Sequence, residues 1–343
     1  MSKTRDLTPR APMADALSRR DLCRALALAP LACSIALATP AFADVAYPTK
    51  PVRVIVPFGA GGVADITARI VTERLGDKLG QRFIIENQPG PGGINAARTV
   101  LSGGTDGHTL ALFSNGTAVS VNLFKDLRFD PIKDFAPISS LGFFDFILAT
   151  SAKSNYKTLR DFVDYGKANP GKLNVGTVAA GSTQNLSAEL FKSSADIDFR
   201  IVPYRNTPDL LLALTRGDMD LMIDSYASLK GLMDDGQILA LAASGPVRST
   251  VTRNIPTAQE AGVPGYDVTS WNALFAPAGT SPEIIAKLQK ALVEVVADSE
   301  IKRKLLDLGI EAKSTTPDEL KGRLEADIKK WAAVIEKAGI PKN

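Results

Sequence analysis

The run Val52-Arg53-Val54-Ile55-Val56-Pro57, continued by Phe58-Gly59-Ala60-Gly61-Gly62-Val63-Ala64-Asp65, decides the fold. Its β-branched first half predicts a strand, and Pro57 ends it. From Val63 to Leu79, apolar residues return at helical spacing (Ile66, Ile70, Val71, Leu75, Leu79). A strand, a glycine-rich turn and a helix in that order open a βαβ unit. The N–H groups of such a turn gather at the start of the helix, where an anion is stabilised, and glycine lets a ligand approach the main chain.

The alternation continues outward. Arg82–Asn87 reads as a strand, a second glycine-rich turn follows, then a helix near Ile94–Leu101 and a strand at Thr109–Ser114. After the apolar stretch Phe143–Thr150 a second series begins: helix Thr158–Ala168, strand Leu173–Thr177, helix Thr183–Ser194, strand Phe199–Pro203, helix Pro208–Arg216, and strands Met219–Asp224 and Ile238–Ala243. Two apolar extended segments, Phe144–Thr150 and Val268–Phe275, bracket this series like a pair of crossovers. Helix Pro282–Ala297 and a long helix Pro317–Ala338 close the chain. The long helix carries a capping box from Thr316 to Glu319, a packing stripe of Leu320, Leu324, Ile328, Trp331 and Ile335, and Gly339 at its end. The expected class is α/β, with two lobes and a cleft between them.

The N-terminus reads as a separate segment. Ser18-Arg19-Arg20-Asp21-Leu22-Cys23-Arg24 is a twin-arginine pattern, Ala25–Thr39 is an uncharged h-region interrupted by Pro30, and Ala41-Phe42-Ala43 is a small-x-small cleavage site. The expected division is a signal peptide over 1–43, the first part of lobe 1 over 44–148, lobe 2 over 149–267, and the second part of lobe 1 over 268–343. Residues 1–43 hold six of the 40 basic and three of the 37 acidic residues, so the remainder carries 34 of each sign. A neutral chain lacks the basic field that attracts nucleic acid or anionic lipid. Both cysteines, Cys23 and Cys33, leave with the signal, and one histidine, His108, stays. That excludes thiol catalysis, disulfides and the usual Cys/His zinc sets.

Two readings compete at the first turn. Gly59-x-Gly61-x-x-Ala64, with Glu86 ending the next strand, meets a loose dinucleotide-binding fingerprint and would suit an exported oxidoreductase. Against it, Pro57-Phe58 separates strand from glycine, and no lysine–histidine–carboxylate set accompanies the turn. The other reading is anion capture, in which main-chain N–H groups, Gly61's among them, hold a carboxylate. Gly181-Ser182-Thr183-Gln184-Asn185 offers hydroxyls and N–H groups at a second helix start, with Ser182 or Thr183 as N-cap. Asn115 and Asp224 end strands where open parallel sheets direct residues toward the crevice, or serve there as turn or capping residues; Asp65 could either orient its loop or contact a solute donor.

These segments also carry a family resemblance. Tyr47-Pro48-Thr49-Lys50-Pro51, Pro57-Phe58 with Gly61-Gly62 and Asp65, Glu86-Asn87-Gln88-Pro89-Gly90-Pro91-Gly92-Gly93, Asp106-Gly107-His108-Thr109-Leu110 and Ala276-Pro277-Ala278-Gly279-Thr280 resemble, in order, the Bug receptors of tripartite tricarboxylate transporters. The resemblance implies a type II-like periplasmic-binding-protein fold with two crossing linker strands, Venus-flytrap closure, no catalysis and no cofactor or metal. It implies a monomer whose partners are a small carboxylate solute and the membrane subunits of the transporter; a sensor without a transport role shares the same chemistry. It assigns ligand contacts to Phe58, Gly59, Ala60, Gly61, Gly62 and Asp65, partly through ordered water, and to Gly181, Ser182, Thr183 and Asn185, with Asn115 and Asp224 nearby. The sequence departs from the family pattern at Gly59-Ala60, Val63-Ala64 and Gln184-Asn185, which bears on solute identity.

Overall fold

The computed structural model describes residues 46–178 and 182–342. The signal segment over 1–43 lies outside the described residues, as does Gly181. Strand β1 (Val52–Val56) and helix α1 (Val63–Leu79) form as their pattern predicts, followed by β2 (Phe83–Asn87), a 3-10 turn at Pro91–Gly93, α2 (Ile94–Ser102) and β3 (Thr109–Ser114). Parallel pairing of β1 with both β2 and β3 buries Val52, Val54, Ile55 and Val56 completely. This burial on both faces explains an almost unbroken apolar strand.

A helix not expected from the sequence, α3 (Asn115–Leu123), begins directly where β3 ends. Its signal is the box from Ser114 to Thr117, easily overlooked because Asn115-Gly116 reads as a turn. The next strand, β4, runs unbroken from Phe135 to Ser151, about twice the length of its apolar stretch.

The second series contains α4 (Leu159–Ala168), β5 (Leu173–Val178), α5 (Thr183–Ala195), β6 (Phe199–Tyr204), α6 (Thr207–Arg216), β7 (Leu221–Ser225), α7 (Tyr226–Asp234) and β8 (Ile238–Ala243). Then come β9 (Thr269–Pro277), α8 (Pro282–Ala297), α9 (Ser299–Leu306) and α10 (Pro317–Lys337). Helices α7 and α9 also go beyond the sequence reading. The capping box of α10 forms as expected, with Glu319 N–H donating to Thr316 Oγ1 at 3.2 Å.

The strands line up as β2-β1-β3-β9-β4-β7-β5-β6, with β8 on β4. The two extended segments are therefore the crossovers, and they pair antiparallel with each other from Phe135–Pro277 to Asp145–Thr269. At Phe146, β4 leaves β9 and pairs with β7 opposite Ser225. Each lobe is thus an α/β layer, and β4 and β9 carry the chain between them. One apolar cluster runs across the middle, including Phe113 and Val119 beside Leu186 and Phe191 and the α10 stripe of Leu320, Leu324, Trp331 and Ile335. Trp331 is fully buried, and truncating such a side chain costs about 3–5 kcal/mol.

Asp145 sits where β4 changes partners. Its carboxylate packs against the backbone of Gly245, where an added Cβ would lie 2.5 Å from Oδ2, and accepts a hydrogen bond from Thr269 Oγ1 at 3.1 Å. Burial raises this carboxyl to about 6; the Thr269 bond opposes the shift, and the charges of Asp267 and Glu311 add to it. The folded value exceeds the unfolded one, so the stabilisation is complete below the unfolded pKa of about 4 and is lost as pH rises through the folded value. Asp145→Asn is expected to match the parent near about pH 4 and to exceed its stability by up to about 3 kcal/mol at about pH 8, measured by urea unfolding at both pH values.

Candidate functional site

The turn after β1 is held by one carboxylate. Asp65, 2% exposed, accepts hydrogen bonds from the Gly61 N–H at 2.9 Å, Arg69 Nε at 3.0 Å and Asn87 Nδ2 at 2.9 Å. Asn87 Nδ2 also donates to the Phe58 carbonyl at 3.0 Å, and Arg69 Nη2 donates to Asn87 Oδ1 at 3.1 Å. The Gly61 N–H turns inward to Asp65 and is not a free donor, and the Asp65 side chain fastens the loop from behind. Gly61 is required for its φ of +81°. Burial opposes ionisation of Asp65, but the bonds from Arg69, Gly61 and Asn87 and the Arg69 charge outweigh it and hold the carboxyl below its usual range.

On its outer side the loop stays open. Gly62 is the N-cap of α1 with extended backbone and no side-chain cap bond, so the first-turn N–H groups meet no capping side chain. A Cβ added at Gly59 or Gly61 would meet nothing within 4 Å. Beneath this turn the crossing strand places Asn272, whose Nδ2 donates to Thr67 Oγ1 at 3.3 Å. Thr67 spends its own proton on the Val63 carbonyl at 2.6 Å, which fixes the orientation of the amide. Asn272 Oδ1 then remains buried without a hydrogen-bond partner among the described residues.

Three helix starts converge. Ser114 caps α3 by accepting from the Gly116 N–H at 3.1 Å. A Cβ on Gly116 would lie 3.8 Å from Phe58 Cζ and 3.8 Å from Thr183 Oγ1. Gly116 is therefore the floor on which the first loop and the start of α5 meet; sequence reasoning passed over it because a single glycine after Asn115 reads as a turn. Ser182 is the N-cap of α5, accepting from the Asn185 N–H at 3.1 Å and donating to the Val178 carbonyl at 2.8 Å. Asn185 Nδ2 donates to Thr177 Oγ1 at 3.3 Å.

Asn115 and Asp224 both point into protein. Asn115 donates to Asp327 Oδ2 at 3.2 Å and accepts from Trp331 Nε1 at 2.6 Å, so its amide is committed to α10. Asp224, 2% exposed at the end of β7, accepts from Thr207 Oγ1 at 2.6 Å and the Ser225 N–H at 2.7 Å, with Gln184 Nε2 at the limit of 3.5 Å. Burial raises its carboxyl, and these three neutral donors oppose the shift without reversing it. Thr207, which no sequence signal singled out, thus ties the start of α6 to the end of β7.

Glu86, the acid of the dinucleotide reading, is taken up by Arg53, whose Nε and Nη2 each donate to it at 2.7 Å. His108 clasps the N-terminal segment by accepting from the Thr49 N–H at 3.3 Å. A groove of about 750 Å³ between α1 and β2, lined by Arg69, Glu73, Asp77 and Arg82 among others, is open, mixed in charge and distinct from the three helix starts. No group of three or more His, Cys, Asp or Glu among the described residues is set to hold a metal, and no described helix is long and apolar enough to cross a membrane.

Removing the loop's fastener leaves the Gly61 N–H without its acceptor and strips Arg69 of its ion-pair partner, with only the Asn87 bonds to Arg69 and Phe58 remaining. Asp65→Ala is expected to lower stability at neutral pH by about 2–4 kcal/mol. The folded pKa of Asp65 is depressed, so the deficit should shrink as pH falls through that folded value. Urea unfolding across a pH series measures both.

Residues 67–340 match the model of the TctC family, described as the tripartite tricarboxylate transporter family receptor. BugT of Bordetella pertussis is 30% identical over 305 residues, covering 88% of this chain and 93% of that protein. Two solved structures are also similar. Rpa4515 of R. palustris, with adipate, is 32% identical with a TM-score of 0.79 and covers 87% of this chain and 100% of its own. MatC (Rpa3494) from Rhodopseudomonas palustris, with bound malate, is 34% identical with a TM-score of 0.74 and covers 84% and 100%. Matched along nearly all of its α/β body, the chain belongs to the Bug, or TctC, family of tripartite tricarboxylate transporter receptors.

Proposed function

We propose that this chain captures a small carboxylate in the periplasm, between its two lobes, and presents the closed form to the membrane subunits of a tripartite tricarboxylate-type transporter. The observation that carries this reading is the meeting of three helix starts around Gly116, with Phe58 on one side and Thr183 on the other. Helix N-termini stabilise a carboxylate without a cationic side chain, which leaves the solute free to depart when the lobes open. Asn272 Oδ1 gives a bridging water or a solute hydroxyl an acceptor beneath the first turn. The adipate and malate seen in two relatives support an organic acid as the class.

Solute contacts are assigned to the outer face of Phe58–Gly62, to the main chain at Asn115 and the side-chain-free face of Gly116, whose N–H is taken by Ser114, and to Ser182 and Thr183. Asp65, Asn115's amide and Asp224 hold these segments in place. Lobe 1 comprises 44–148 and 268–343 and lobe 2 comprises 149–267, with residues 1–43 removed on export. The receptor acts as a monomer, and closure selects a conformation without breaking any bond.

A thermal-shift screen tests the reading. Adipate, malate, citrate or benzoate at about 100 times its dissociation constant adds about 2.7 kcal/mol to stability, enough to raise Tm by several degrees. Gly116→Leu, which fills the floor between Phe58 and Thr183 and crowds Ser114 Oγ at 3.3 Å, should fold with a lowered Tm and lose that response. Full retention of the response in a folded Gly116→Leu protein would overturn the site.

A further inference from the structure

Both tryptophans of the chain end on one buried polar knot. Trp271 Nε1 donates to Asp327 Oδ2 at 2.7 Å and Trp331 Nε1 donates to Asn115 Oδ1 at 2.6 Å. Asn115 Nδ2 closes the knot on Asp327 Oδ2 at 3.2 Å, and Arg323 Nε reaches the same oxygen at 2.9 Å. Trp271 and Trp331 are fully buried, and Asn115 and Asp327 nearly so.

The knot joins three elements. Trp271 belongs to crossing strand β9, Asn115 is the first residue of α3, and Arg323, Asp327 and Trp331 belong to α10. Parallel ties reinforce it: Asn122 Nδ2 donates to the Ile328 carbonyl at 2.8 Å, and Arg323 Nη2 to the Thr269 carbonyl at 2.9 Å. Buried charge and amide groups are poor sources of net stability compared with apolar packing, because their desolvation offsets their bonds. What they supply is a fixed geometry. The geometry fixed here is the start of α3, one residue before the Gly116 floor.

We infer that Asn115, Asp327 and Trp331 are positioning residues that set the start of α3 against the crossing strand and the C-terminal helix, so that solute capture at that start is transmitted to both indoles. This rests on the carboxylate reading above. A solute packed against the start of α3 bears on Asn115, whose amide is gripped from two sides by groups more than 200 positions away in the chain. Trp331 and Trp271 hold the other ends of those bonds, so their surroundings change with occupancy.

The test combines thermal shift, tryptophan emission and affinity in the purified protein with adipate, malate, citrate and acetate. A carboxylate that raises Tm should alter the emission, and Trp331→Phe should keep a response from Trp271 while binding about tenfold more weakly. Leu288→Ala, a cavity variant in the separate core of α8, should lose Tm without losing affinity. A carboxylate that raises Tm yet leaves emission unchanged overturns the inference and spares the receptor reading. So does unchanged affinity in Trp331→Phe, or an equal loss in Leu288→Ala. If none of the acids raises Tm, the carboxylate reading fails and the inference with it.

Discussion

Everything in this fold depends on the antiparallel pairing of β4 with β9. Those strands complete the sheet of the first lobe, and β4 then runs on to become a strand of the second. The change of partner takes place within two residues, Asp145 and Phe146. Ser244 secures it, donating its N–H to the Phe146 carbonyl at 2.8 Å and accepting from the Phe146 N–H at 2.8 Å, while its hydroxyl reaches the Val268 carbonyl at 2.5 Å. Continuous backbone bonding makes this junction a common reference for both lobes. The Asp145 carboxyl beside it, raised by burial to about 6, gives the junction a dependence on mild acid.

From that reference the helix starts follow. Parallel strands β1 and β5 deliver α1 and α5 with their N-termini toward the crevice, and β3 delivers α3 between them. On the proposed reading, recognition of an anion is a matter of aligned peptide dipoles, and charged side chains work at one remove. Asp65 and Arg69 neutralise each other while bracing the loop, and Asp327 and Arg323 do the same behind α3. A permanent cation in the crevice would hold a carboxylate more firmly than a delivery protein requires, whereas dipoles and hydrogen bonds lose their grip once water enters.

The pattern of residues told much of this in advance. The β-branched run at Val52–Val56, the glycine turn and the helical spacing after Val63 are local signals and formed as read, as did the capping box at Thr316. What stayed hidden was also systematic. The start of α3 was obscured because Asn115-Gly116 favours a turn in isolation and becomes helical only when Ser114 and Thr117 cap it and α10 packs on it. At Asp65 and Asn115 the sequence leaves open whether a polar side chain at a strand or helix end meets solute or scaffold, because the partners that decide it lie elsewhere in the chain; in the structure both side chains bond their own scaffold.

By itself the sequence determined the two α/β series and the starts of α1 and α5, though not α3, α7 or α9, because propensity, capping and hydrophobic period act over a few residues. Tertiary structure alone decided which polar groups are spent and which are available. The Gly61 N–H is consumed by Asp65, the Asn115 amide by residues 212 and 216 positions away, and Glu86 by Arg53, while Gly116 acquires its place from Phe58 and Thr183. A hydrogen-bonding group serves a solute only if the fold has left it unpaired, and pairing over such distances is set by how the strands cross.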